Sequence, residues 1–73
     1  MARELDNLKK RIGTRIRDRR TTLQISQEEL AFKGEISPTY LSQIEGGKRN
    51  TSIETLFRLC TVLGLELADL VKQ

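Results

Sequence analysis

Residues 26–47 read SQEELAFKGEISPTYLSQIEGG, two helical segments each with its own start and stop signals. Ser26 with Glu29 three residues on forms a capping box, and Ile25 and Leu30 stand where a hydrophobic staple closes around it. The helix opened there is short and ends near Lys33-Gly34. Ser37 caps the next helix, and Pro38 takes its first position, where a missing N–H costs nothing. Ile36 and Leu41 repeat the staple, and Gly46-Gly47 stops the helix. Two helices of about eight and nine residues are thus joined by a glycine-containing turn of about three or four, the helix-turn-helix arrangement.

Outward from this pair the pattern stays helical. Leu5, Leu8, Ile12 and Ile16 recur at helical spacing and place a first helix from about Arg3 to Thr22. Downstream, Thr51-Ser52-Ile53-Glu54 offers a further capping box for a fourth helix to Leu63, which Gly64 closes. Its core stripe is Ile53, Leu56, Cys60 and Leu63. A last short helix runs from about Glu66 to Lys72. Strand-type alternation is absent. The expectation is an all-α, compact five-helix fold, one domain over residues 1–73, with the helix-turn-helix unit at about 26–46 in helices 2–3.

Seventy-three residues suffice for one small domain, whose core is marginal without good caps or a partner subunit. One Cys and no His exclude a disulfide framework and a Cys/His zinc site within the chain, so no metal and no cofactor are expected. A lone reduced Cys suits the cytoplasm, and Cys60 reads as a small core residue. No apolar run approaches the roughly 20 residues of a membrane span, and Met1-Ala2-Arg3-Glu4 has no signal-peptide core. The net charge is only +3, but residues 9–20 carry seven cations (Lys9, Lys10, Arg11, Arg15, Arg17, Arg19, Arg20) against Asp18 alone. That is +6 in one segment and −3 elsewhere, which suggests a polyanionic partner.

The outward positions of the third helix are the informative ones. In a chain that is 32% charged, Thr39, Ser42 and Gln43 are short or neutral. An ordinary solvated face would carry Lys and Glu. In a helix-turn-helix the second helix, here residues 37–46, lies in the DNA major groove, and long charged side chains there would find phosphates before bases. Gln suits adenine in particular, and a Thr methyl packs on the thymine methyl. Thr39, Ser42 and Gln43, with Tyr40 at the edge, form the expected base-reading surface, while Ile36, Leu41 and Ile44 hold the helix on the body.

The combined motif SQEELA, ISPTYLSQIEGGKRNTSIETL and LGLELADL resembles the helix-turn-helix family of lambda-type phage repressors and Cro, over roughly Ile12 to Val71. Within that family a chain of this length is similar to the controller proteins of restriction–modification systems. The resemblance implies a lambda-repressor-like DNA-binding domain of bacterial or phage origin, cytoplasmic, acting as a homodimer on a pseudo-palindromic double-stranded operator. It places Thr39, Tyr40, Ser42 and Gln43 at base-reading positions and lets Arg49 reach a base. Ser26, Gln27 and Ser37 fall at helix N-termini that meet phosphates, where free N–H groups and the dipole favour an anion. Lys48 and Asn50, with Arg49, fall in the loop that touches the DNA backbone. Three positions depart from the pattern. Pro38 stands where controller proteins often carry a base-reading Arg, Gly46 replaces a common Arg, and Glu35 occupies the usual turn glycine. A positive φ is unfavourable for Glu, which predicts a shifted turn.

Two inward charges follow from spacing. Leu8, Ile12, Ile16 and Arg20 form an i+4 series, and Glu45 follows Leu41 and Ile44 on the buried side. Opposite charges facing one core should pair, because an unpaired one costs several kcal/mol. The resemblance places a salt bridge here too. Arg15, Arg17 and Arg19 have no such reason for burial; they either skirt the DNA or are solvated. In the last helix Leu67, Leu70 and Val71 share a stripe too wide for a small core. Leu67 and Val71, with Phe57 on a flank of helix 4, are the expected dimer interface.

Rival functions fare worse. There is no nucleophile–base constellation and no phosphate loop, so no enzyme and no small-molecule ligand are expected. No membrane role is expected either, since the basic residues surround helix 1 instead of opposing an apolar face. The remaining alternative is a protein-interaction role, such as an antitoxin or anti-repressor built on the same fold.

Overall fold

The computed structural model describes residues 2–73. Its helices are α1 (Ala2–Thr22), α2 (Gln27–Gly34), α3 (Pro38–Glu45), α4 (Ile53–Leu63) and α5 (Leu67–Val71), with no strand among the described residues. Serines open the three middle helices. The hydroxyl oxygens of Ser26, Ser37 and Ser52 accept the N–H groups of Glu29, Tyr40 and Thr55 at 3.0, 3.0 and 3.1 Å. The start of α4 corrects the sequence reading: Ser52, not Thr51, is the cap, Glu54 instead pairs with Arg58 at 3.1 Å, and the Thr51 hydroxyl is buried without a partner.

The turn between α2 and α3 is not shifted. Glu35 itself takes the left-handed conformation at φ 62°, and its N–H and that of Ile36 return to the carbonyls of Phe32 and Ala31. Gly34 cannot be spared for that position. A Cβ there would stand 2.8 Å from a Leu59 methyl, so the glycine is spent on the close approach of α2 to α4. Gly13 plays the same part for α1, where a Cβ would collide with the carbonyl oxygens of Ile44 and Glu45 at the end of α3.

The helices enclose Ile16, Leu30, Leu41, Leu59, Leu63 and Leu70, all fully buried, with Cys60 beside them. Three apolar positions depart from expectation. Leu5 is 49% exposed. A helix of 21 residues is about 30 Å long, most of the 33 Å extent of the molecule, so its first turns overhang the core. Ile53 is 71% exposed, and Leu59 takes the core place assigned to it. As the first residue of α4, Ile53 directs its side chain back past the helix start, because Cα–Cβ bonds tilt toward the N-terminus. Leu67 is not spare surface: at the start of α5 it packs against the core beside Leu65.

Candidate nucleic-acid interface

α3 is held from beneath and bare above. Leu41, Ile44 and Glu45 are buried, while Thr39 and Ser42 face solvent and Gln43 and Tyr40 are half-buried at the margin. The segment after α3 turns back at Gly47 (φ 70°), where a Cβ would meet the Lys10 backbone at 2.9 Å. That reversal returns Arg49 to α3. Its guanidinium lies over the Tyr40 ring, 4.7 Å from the centroid, and its Nη1 donates to Gln43 Oε1 at 2.6 Å. Tyr40, Gln43 and Arg49 thus form one unit, with Thr39 and Ser42 exposed on the same helix and Lys48 and Asn50 exposed in the loop.

Under this surface Arg20 and Glu45 form a two-pronged pair. Arg20 Nε donates to Glu45 Oε2 at 2.8 Å and an Nη2 hydrogen goes to Oε1 at 3.1 Å. Arg20 Nη1 also donates to the Ile25 carbonyl at 3.0 Å. Hydrogen bonding to Glu45 raises the Arg20 pKa above its usual value, against the opposing effect of burial. Gln27 joins this network by donating its amide to Glu45 Oε1 at 2.9 Å, so its side chain is turned inward. The clamp fastens α1 and the start of α2 to the last residue of α3.

Ser26 and Ser37 each use their oxygen as a cap, which leaves the hydroxyl proton free to donate outward. The two helix starts differ in charge. The first turn of α2 carries Glu28 and Glu29, whereas that of α3 has no acidic residue and so presents an uncompensated positive dipole end.

Most of the basic segment serves the fold. Arg11, Arg15 and Arg19 donate to the carbonyls of Val71, Asp69 and Leu63 at 3.1, 3.2 and 2.8 Å. These carbonyls lie in the last turns of α5 and α4, where oxygens lack intrahelical donors and cations are favoured. Arg15 and Arg19 therefore have a reason for partial burial that the sequence reading denied them. The i, i+4, i+8 spacing was the available signal. Arg58 acts likewise, donating to the Gly34 carbonyl at 2.9 Å. Arg17 stays exposed, 3.9 Å from Asp18.

Adjoining the loop after α3, an apolar groove of about 400 Å³ runs between that loop, the overhanging start of α1, the start of α4 and the end of α5. Leu5, Leu8, Ile12, Ile53, Leu56 and Val71 line it, with Arg49 and Asn50 on the loop side. Val71 is 46% exposed there, and Phe57, 61% exposed, lies one helical turn beyond Ile53. Among the described residues no His, Cys, Asp and Glu cluster could hold a metal, and no helix is long and apolar enough to cross a membrane.

Comparison with known proteins bears on this arrangement. The helix-turn-helix family model matches residues 16–70. The chain is 34% identical over 67 residues to the control protein C.BamHI of Bacillus amyloliquefaciens, covering 90% of this chain and 83% of that one. Among solved structures, the restriction-modification controller protein C.AhdI from Aeromonas hydrophila superposes with a TM-score of 0.81 at 35% identity, over 85% of this chain and 94% of that one. The clp gene regulator ClgR from Corynebacterium glutamicum gives 0.83 at 35% identity, over 86% of this chain and 67% of its own. The two-helix unit, its exposed polar face and these likenesses agree: the chain belongs to the helix-turn-helix family of transcriptional regulators.

Proposed function

We propose that residues 1–73 form a single DNA-binding unit that works as a homodimer on a pseudo-palindromic operator, with α3 in the major groove. Thr39, Tyr40, Ser42, Gln43 and Arg49 read bases. Ser26, Gln27, Ser37, Lys48 and Asn50 contact phosphates, Gln27 through its backbone N–H at the start of α2, because its side chain serves Glu45. The reading is non-enzymatic and cytoplasmic, and the likeness to C.BamHI and C.AhdI favours control of a restriction–modification operon. One observation carries the DNA reading. A helix pinned by buried residues leaves its outer face short, polar and uncharged, with Lys48 and Asn50 at the flank where phosphates would run.

The groove supports the dimer. Ile53, Leu5 and Val71 line the groove and are all exposed, so each copy offers one apolar patch that a second copy can cover with its own. Such a patch is self-complementary about a two-fold axis. The interface is therefore Val71, Ile53 and Phe57 with the overhanging turns of α1, and Leu67 supports it from the core. Two recognition helices about 34 Å apart would then meet successive major grooves on one side of the duplex.

The test is binding to random and selected duplexes across a salt series. Affinity should fall linearly in log–log form, and Lys48→Ala should make that slope shallower by about one while weakening all sequences alike. A protein that enriches no sequence and binds no duplex at low salt would return the fold to a protein-interaction role.

A further inference from the structure

Gln43 carries a constraint that its place on α3 does not reveal. A free Gln amide offers one acceptor and two donor hydrogens, which matches the N7 acceptor and N6 donor of adenine. Here one of the oxygen's two lone pairs is engaged, because Arg49 Nη1 lies 2.6 Å from Gln43 Oε1, and the guanidinium brings its remaining donors beside it. The identity of that amide atom follows from chemistry: a guanidinium has donors only, so the group meeting it must be the oxygen. What remains on Gln43 is its NH2 group and a single oxygen lone pair, and what remains on Arg49 is donors, so donors now dominate the pair.

The arrangement is held from two sides. The Tyr40 ring lies 4.7 Å under the guanidinium and is itself packed against the core, so the arginine is stacked as well as bonded. The charge-assisted bond to Arg49 fixes the direction of the Gln43 oxygen.

We propose that Gln43 and Arg49 act as one donor unit, stacked on Tyr40, that selects guanine at its operator position. This rests on the DNA reading above. Guanine presents two adjacent acceptors, N7 and O6, in the major groove, and no donor. Adenine would set its N6 hydrogens among the donors of the unit, with one oxygen lone pair at most to meet them, and donors left unpaired in a desolvated interface are costly. Thymine has a single acceptor beside a methyl group, and cytosine presents a donor. The adenine preference expected from glutamine alone is therefore shifted toward guanine by a residue six positions away. Thr39 and Ser42 make no such bond and keep their own readings.

Selection of bound sequences from random duplexes tests this with wild type, Gln43→Ala, Arg49→Ala and Gln43→Glu. Arg49 is exposed and Gln43 lies at the helix margin, and unchanged melting curves will establish that each variant is folded. Wild type should enrich guanine at one position of each half-site. All three variants should lose that preference, by about 5- to 150-fold, at the same position. Gln43→Glu is the sharpest, since it keeps a partner for Arg49 but has no donor. Adenine enriched at the Gln43-dependent position overturns the proposal, as do preferences lost at different positions for Gln43 and Arg49. A wild type that enriches nothing fails differently: it removes the DNA reading itself, and the guanine assignment with it.

Discussion

Glu45→Ala probes the clamp between the two halves of the fold. The Glu45 side chain is only 3% exposed and that of Arg20 15%, so the carboxylate has almost no water in reserve and the guanidinium little. Removing the carboxylate leaves Arg20 with its bond to the Ile25 carbonyl alone and frees the inward amide of Gln27. Breaking one side of a buried pair costs about 3–5 kcal/mol. A chain of 73 residues has a total stability of about 4–11 kcal/mol at the usual 0.05–0.15 kcal/mol per residue. The substitution therefore consumes a large share of it, and a melting temperature lower by tens of degrees is expected at about 4–8 °C per kcal/mol. Urea unfolding followed by circular dichroism gives the difference directly. Arg20→Met with Glu45→Leu should recover most of the loss, because two apolar groups need no partner. The recovery should fall short by about 1–2 kcal/mol, since the Ile25 carbonyl and the Gln27 amide stay unmatched. A Glu45→Ala variant within about 1 kcal/mol of wild type, the range of a surface ion pair, would refute the clamp.

Three further perturbations separate other parts of the argument. Gly13→Ala should cost about 1–3 kcal/mol despite alanine's better helix propensity, because the added methyl meets backbone oxygens that cannot step aside; a urea midpoint at or above wild type would show that α1 and α3 are not in such contact. Val71→Glu should sediment as a folded monomer with most of its operator affinity lost, whereas a mutant that stays dimeric moves the interface off the groove. Asp69 accepts the Glu66 N–H at 2.9 Å, and chiefly that bond, helped by Lys72 and Arg15, holds its pKa below the ordinary 3.8. Its folded pKa being the lower one, its contribution is complete well above pH 3.8 and is lost as pH falls below that value, so Asp69→Asn should flatten the acid side of the melting profile, and an unchanged profile would exclude the cap.

What the sequence disclosed was what local spacing controls. The serine caps at Ser26 and Ser37 and the glycine stops follow from backbone groups within a few residues of each other, so they are legible in one dimension. Arg20 and Glu45 were legible too, because each continues an apolar stripe and only a partner makes an inward charge tolerable. Arg15 and Arg19 were not. Their partners are carbonyls at the ends of α4 and α5, some fifty residues away, and nothing near the arginines in sequence marks those ends as neighbours. Glu35 was misjudged because the glycine one place earlier was already committed to packing on Leu59. The bond between Gln43 and Arg49 depends on the path of an irregular loop, which no periodicity describes.

The architecture explains how the outer face of α3 can be left to function. A helix of eight residues is too short to persist alone, since isolated helices need about 12–15. Its outer residues do not supply the missing stability: Thr39 and Ser42 are weak helix formers and are exposed. The support comes from the other side. Ser37 caps one end, Leu41 and Ile44 are buried along the length, and Glu45 is clamped at the far end. A carboxylate at a helix C-terminus opposes the dipole, so Glu45 would weaken α3 if it stood alone, and the Arg20 charge reverses that effect. Stability and reading are thus carried by opposite faces of one short helix. Changes at Thr39 and Ser42 should then move base preference while leaving the melting temperature nearly fixed, whereas changes at Glu45 should do the converse. Gln43 and Tyr40 bridge the two roles at the surface, because their contacts with Arg49 order the loop as well as the reading face.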